Sequence, residues 1–215
     1  MDTYGNDGTG GAGPGRRTFG IEEELLLVDP GTGEAVPLAG ALLDLYVRPL
    51  EAAAGPVLTA EFQQEMIEVV SPPHATLAKL QQDIVAGRAI AHQAAEDVGV
   101  RVAALGTSPL PADPHPVQLR RFRAMMQEYG LTAREQLTCG CHIHVSVESP
   151  EEAVAVLDRM RNWLPVLVAL SANSPFWHGE DSGYASYRSQ VWEPLAVRRA
   201  AGDPGHPGLL PPAGP

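Results

Sequence analysis

The run TFGIEEELLLVD, Thr18 to Asp29, has the composition of a buried strand and yet carries three consecutive carboxylates, Glu22, Glu23 and Glu24. Side chains alternate across a strand, so Glu22 and Glu24 share one face with Thr18 and Gly20, and Glu23 falls on the other with Phe19, Ile21 and Leu25. Two carboxylates spaced in this way lie roughly 7 Å apart, close enough to repel and well placed to hold a cation between them. The alternative is an edge strand whose acids face water and discourage aggregation. Any fold for this chain must find a use or a solvent path for acids on both faces of one strand.

Other segments supply possible partners. VLTAEFQQEMIEVVS, Val57 to Ser71, reads as one extended segment ended by Pro72 and Pro73, with Met66, Glu68 and Val70 on a common face. Glu68 interrupts a stretch that otherwise suits a buried strand, and a buried carboxylate is costly unless it is paired or bound to a metal. Glu61 and Glu65 lie on the opposite face by the same count and read as solvated. In CHIHVSVE the alternation is clean, with Cys141, Ile143, Val145 and Val147 on one face and His142, His144, Ser146 and Glu148 on the other. Cys139, Cys141, His142 and His144 suggest zinc, but a strand points Cys141 away from both histidines, and only a bulge would make the four converge. Glu22, Glu24 and Glu68 with His142 form an oxygen-rich set suited to magnesium or manganese.

The remaining chain reads as α+β with a mostly antiparallel sheet. DPGTGE is a strong turn signal that, with the return AVPLAG, predicts a hairpin. Apolar positions from Leu80 to Val98 recur at helical spacing and stop at Gly99; a second helix is expected over Pro116 to Tyr129. Ser149, Pro150 and Glu152 form a capping signal for a third helix, which Pro165 should kink or divide. The segment from Asn173 to Trp192 is dense in aromatic, glycine and polar residues and suits a binding loop; within it Arg188, among Tyr184, Tyr187 and Trp192, could offer a bidentate fork to a carboxylate or phosphate.

With 15 Lys+Arg against 26 Asp+Glu, the net charge of −11 argues against nucleic-acid binding, and an anionic ligand would need a local cation. No apolar run is long enough to span a membrane, and no leader is evident, so a reducing, cytoplasmic setting is expected. Residues 1–17 read as a glycine-rich disordered lead-in, 18–195 as the folded domain, and 196–215 as a proline- and glycine-rich tail.

FGIEEELLLVD, EVVSPP, GCHIHVSV and ANSPFWHGEDSGYASYRSQVW together resemble, in order, the signature blocks of the carboxylate–amine ligase family, also called type 2 glutamate–cysteine ligases. The resemblance implies a glutamine-synthetase-like antiparallel sheet curved around the active site, with helices packed on one face. It also implies ATP-dependent amide-bond formation from L-glutamate and L-cysteine or another amine, with weak glutamate–cysteine ligase activity as the family's characterised assignment. On that resemblance Glu22, Glu24 and Glu68 match magnesium ligands, and His142 and Arg188 catalytic positions. His144 and Tyr187, in the same blocks, match nucleotide contacts. The family pattern is lost after SQVW, which leaves two readings: an active ligase, or a shortened, catalytically inactive module that binds ATP and Mg2+. A chain shortened in this way is expected to expose an apolar edge and to associate into dimers or larger species.

Overall fold

A computed structural model describes residues 17–46 and 55–192. The lead-in and tail expected from the sequence lie outside the described residues, except for Arg17, whose guanidinium donates to the Ser146 carbonyl (2.8 Å) and to the Glu152 carboxylate.

The organising element is β1 (Phe19–Val28). One of its edges pairs with β3 (Met66–Val70), which in turn pairs with β2 (Val57–Ala60). Its other edge is shared end to end: β5 (Cys141–Val145) runs beside Phe19–Glu23, and β4 (Arg101–Ala103) beside Leu26–Val28. Every pairing is antiparallel. The α+β reading with an antiparallel sheet therefore holds.

Val57 to Ser71 is two strands rather than one. Glu61 to Glu65 form the turn between β2 and β3, because Phe62 is drawn into a cluster with Phe122 and Ala133 while Gln63 and Glu65 are buried. Counting alternation through that turn misplaces Glu61 and Glu65, and Glu65 is 1 % exposed rather than solvated. The expected hairpin after β1 is present as a single bridge, Val28 to Ala35, before the chain enters α1 (Ala39–Tyr46).

One face of the sheet is covered by α1 and α2 (Leu77–Asp97), which bury Leu42, Ala91, Ala94 and Ala95 against Leu25, Leu27, Leu58, Ile67 and Val69. The Thr76 hydroxyl caps α2, accepting from the Lys79 N–H, and Gly99 at φ 79° ends it, as the sequence predicts. Glu23 lies on this covered face and is satisfied there by a two-pronged ion pair, accepting from Arg88 Nε (2.8 Å) and Nη2 (2.5 Å) of α2.

The predicted second helix begins later, as α3 (Arg120–Tyr129), and Gly130 at φ 57° separates it from α4 (Leu131–Glu135). The predicted third helix divides at a single 3₁₀ turn, Arg161–Trp163, into α5 (Pro150–Met160) and α6 (Leu164–Leu170), with Pro165 in the first turn of α6. Ser149 accepts from the Glu152 N–H (3.1 Å), but Glu152 closes back on the Glu148 N–H (2.6 Å), one residue before the cap. None of these helical residues is buried; Leu157, Trp163 and Leu170 are 63, 62 and 80 % exposed. No described helix is long and apolar enough to cross a membrane.

Gly87 sets how closely α2 approaches the sheet, since a Cβ there would lie 2.4 Å from Val69 Cγ1 and 3.3 Å from Pro56 Cβ, both on stiff residues. Gly87→Ala gains about 1 kcal/mol of helix propensity but overpacks a close contact at about 1–3 kcal/mol. We expect a net loss of stability, read as a lower urea midpoint with an unchanged slope.

Candidate active site

The face of the sheet away from α2 carries the acids. Register places Glu24 directly opposite Glu68, Glu22 opposite His142, and Gly20 opposite His144. The row continues to β2, where the Thr59 hydroxyl donates to Glu68 Oε2 (3.2 Å). At Glu24, Oε2 accepts the Gly140 N–H (2.6 Å) and Oε1 lies 4.0 Å from His142 Nε2. The other nitrogen of that ring, Nδ1, is 3.3 Å from Glu22 Oε2, and His144 Nε2 reaches the same oxygen at 2.9 Å. His142 thus lies between the two acids on this face of β1, Glu22 and Glu24.

The electrostatics are those of a crowded anionic site. Burial, followed by the charges of Glu22 and Glu61, pushes the Glu68 carboxyl up to about 7. Burial also raises Glu24, against the opposing pull of His142, the Gly140 N–H and Arg188. Glu61 is raised by burial and then by Glu24. Such a cluster holds its charge poorly alone, and a divalent cation would relieve it. Ligand atoms of Glu24, Glu68 and His142 lie within 4.8 Å of one another, and so do those of Glu22, His142 and His144. Two carboxylates and an imidazole suit magnesium or manganese. The cysteines do not join them: Cys139 is buried with Leu26, Met66 and Leu137, its thiol pushed up by burial, while Cys141 lies on the Glu23 side of the sheet.

Beside the acids opens a cleft of about 340 Å³, lined by Glu22, Glu24, Glu61, Glu68 and His142 on one side. Phe62, Met66, Met125, Tyr129 and Trp192 give it an apolar wall, and Arg121 of α3 contributes a cation. Glu61 is the acid that strand counting missed; the polar run EFQQE was the available sign of a turn. Arg188 is held at the acids' edge, donating from Nε to the Cys139 carbonyl (3.0 Å) and lying 5.5 Å from the Trp192 ring centre. A Cβ on Gly140 would meet Arg188 Nη2 at 2.8 Å and His142 Nε2 at 3.0 Å, so a larger residue there would push both side-chain ends away from their present positions. Tyr187 is not brought to this cleft; its ring packs on Trp177 and Tyr184, at 5.6 and 5.8 Å.

Four sequence blocks widely separated along the chain thus converge on one face of the sheet or at its edge. The profile of glutamate-cysteine ligase family 2 (GCS2) matches residues 18–213. The chain belongs to this family. Among its curated relatives, a protein of Paenarthrobacter aurescens (strain TC1) is 56 % identical over 179 residues, 82 % of this chain and 47 % of the relative. One of Streptomyces avermitilis is 53 % identical over 178 residues, 82 % of this chain and 48 % of the relative. Both carry the provisional name glutamate–cysteine ligase 2-1. The chain therefore spans about half the length of the curated relatives it matches. Among solved structures, a bifunctional glutathione synthetase from Pasteurella multocida superposes with a TM-score of 0.53 at 16 % identity, covering 75 % of this chain and 24 % of that one, a likeness of fold.

In this member of the family, Glu68 makes a pH-dependent contribution with a definite sign. Its folded pKa, about 7, lies above the ordinary glutamate value of 4.5, so the folded state holds the proton more tightly. Its contribution is fully present below about 4.5 and is lost as pH rises through about 7. Thermal unfolding from pH 5 to pH 8, without divalent cation, should show Glu68→Gln melting increasingly above wild type as pH rises, with the two close together at pH 5.

Proposed function

We propose that this chain carries the acid-activating site of an ATP-dependent carboxylate–amine ligase that joins glutamate to cysteine or a similar amine. The observation that supports this most is the convergence of Glu24, Glu68 and His142 at the mouth of a cleft with an apolar wall and Arg121.

In this reading the γ-carboxylate of glutamate attacks the γ-phosphorus of ATP, ADP leaves, and the resulting acyl phosphate is attacked by the amine with loss of inorganic phosphate and a proton. Glu24, Glu68 and His142, with Glu22 and His144 alongside, would hold magnesium or manganese, which would supply charge neutralisation for the phosphates. The chain's own part is orientation. The Gly140 N–H fixes one oxygen of Glu24 and leaves the other facing His142, and the Cys139 carbonyl anchors the Arg188 guanidinium beside them, for a phosphate or carboxylate. The apolar wall and Arg121 suit the amine substrate, a small thiol-bearing side chain against Phe62 and Met125 with its carboxylate toward the guanidinium. His144 lines a neighbouring cavity of about 300 Å³ with Phe19, Gly20 and Ser71, the place available to the nucleotide.

ADP release should require glutamate, an amine and magnesium together. Glu24→Gln should lower it at least about 100-fold while circular dichroism stays unchanged; wild-type turnover in that variant would remove Glu24 from the machinery. Because the chain spans about half the length of its relatives, a second reading is binding without turnover. Calorimetric ATP binding that requires magnesium, with no ADP formed under any amino-acid mixture, would select it.

A further inference from the structure

Glu65 is the fully buried acid of the β2–β3 turn, and the ligase reading gives it no role. Its side chain is 2 % exposed, and both oxygens are satisfied by one residue fifty positions away: Oε2 accepts the His115 backbone N–H (3.0 Å) and Oε1 faces the ring nitrogen Nδ1 (2.7 Å). The His115 side chain is about half exposed. Around this pair the two segments are laced together, with the Gln64 N–H donating to the His115 carbonyl (2.8 Å) and the Val117 N–H to the Phe62 carbonyl (2.9 Å).

The geometry matters for what lies on either side. From His115 the chain runs through Val117 directly into α3, which gives the cleft Arg121, Met125 and Tyr129; the turn fastened by Glu65 gives it Glu61, Phe62 and Gln63. One wall is carried by a helix, the other by a turn, and the pair ties them. Arg121 Nη2 adds a longer contact to the Ala60 carbonyl (3.3 Å). We propose that Glu65 and His115 are a positioning pair that fixes the width of the cleft, and so sets affinity for the amine substrate rather than the rate of acid activation. The assignment of the cleft to the amine rests on the ligase reading; the fastening of α3 does not. Glu65, first by its hydrogen bond, holds the imidazole more basic than usual, with Asp113 of the same loop acting in the same direction. The backbone contacts from β1 and α1, the Leu27 N–H to the Glu65 carbonyl and the Ala39 N–H to the Gln64 carbonyl, are uncharged.

The pair is tested by His115→Ala and His115→Asn, since an asparagine amide nitrogen can stand close to where Nδ1 stands and restore the donor without the charge. By hydrogen exchange on the full chain, His115→Ala should deprotect α3 and residues 61–64 by about tenfold while β1, β3 and α2 keep their protection, and His115→Asn should restore most of it. In steady-state assays the alanine variant should raise KM for the amine about tenfold, leaving kcat and the KM for ATP within twofold of wild type. Unchanged exchange in α3, an asparagine variant as loosened as the alanine one, or a fall in kcat matching the rise in KM would each overturn the proposal. If His115→Ala does not fold, Glu65→Gln takes its place: partial deprotection confined to α3 and the turn supports the pair, and wild-type protection overturns it. The exchange measurement needs no substrate, so a chain without turnover would count against the ligase reading and leave the fastening role to be judged by itself.

Discussion

A single strand with neighbours on both edges and carboxylates on both faces is the constraint that the rest of this fold answers. β1 is paired along both edges, and two of its three glutamates, Glu23 and Glu24, are buried, while the Glu22 side chain keeps 29 % of its surface exposed. Glu23 is answered from α2 by the Arg88 fork, which requires the helix to lie close to the sheet, and Gly87, one residue earlier, is where that closeness is made possible. Removing one partner of such a pair is usually worse than replacing both, because an unpaired carboxylate would remain in the core. Glu22 and Glu24 are answered differently, by histidines and a backbone N–H on the β5 side, while on the β3 side Glu24 faces another acid, Glu68, and Glu22 faces Val70.

That contrast separates structure from chemistry within three residues. The charge at Glu23 is neutralised inside the protein, whereas the charge at Glu68 is raised in energy by burial and by the neighbouring acids, and that at Glu24 by burial against the opposing pull of His142, the Gly140 N–H and Arg188. A folded chain that keeps unneutralised acids together at a cleft maintains a standing demand for a cation. With a net charge of −11, the protein repels anions at long range, so in the proposed ligase the cation that relieves the acids would also admit phosphates. The local field and the overall field thus point to one requirement.

The α5–α6 arm follows a different logic. Its local signals are strong, with a Ser149 cap, Pro150 in the first turn and acids near the N-terminus, and it forms helix without burying a residue. Apolar side chains all round α6 fit a helix that is enclosed, and here they are open. The chain spans about half the length of its curated relatives, and among the described residues this arm and one face of β5 carry exposed large apolar side chains, among them Leu157, Trp163, Leu170, Ile143 and Val145.

What the sequence determined by itself was whatever depends on neighbours along the chain. Pleat alternation placed Glu22 and Glu24 on one face, Glu23 on the other, and the two histidines of CHIHV together, and the stop at Gly99 and the cap at Ser149 are local dihedral and hydrogen-bond requirements. The resemblance of four short blocks led to the family. Tertiary structure alone decided the rest: that Val57 to Ser71 folds back on itself, that Glu61 joins the acids and Glu65 goes inside with His115, and that Tyr187 turns toward Trp177 rather than toward the cleft. The reason is that a turn resets the count of faces and no local rule says which apolar cluster will capture Phe62. Likewise, the depth of burial that lifts Glu68 to about 7 belongs to segments far away in sequence, and a single residue type cannot announce it.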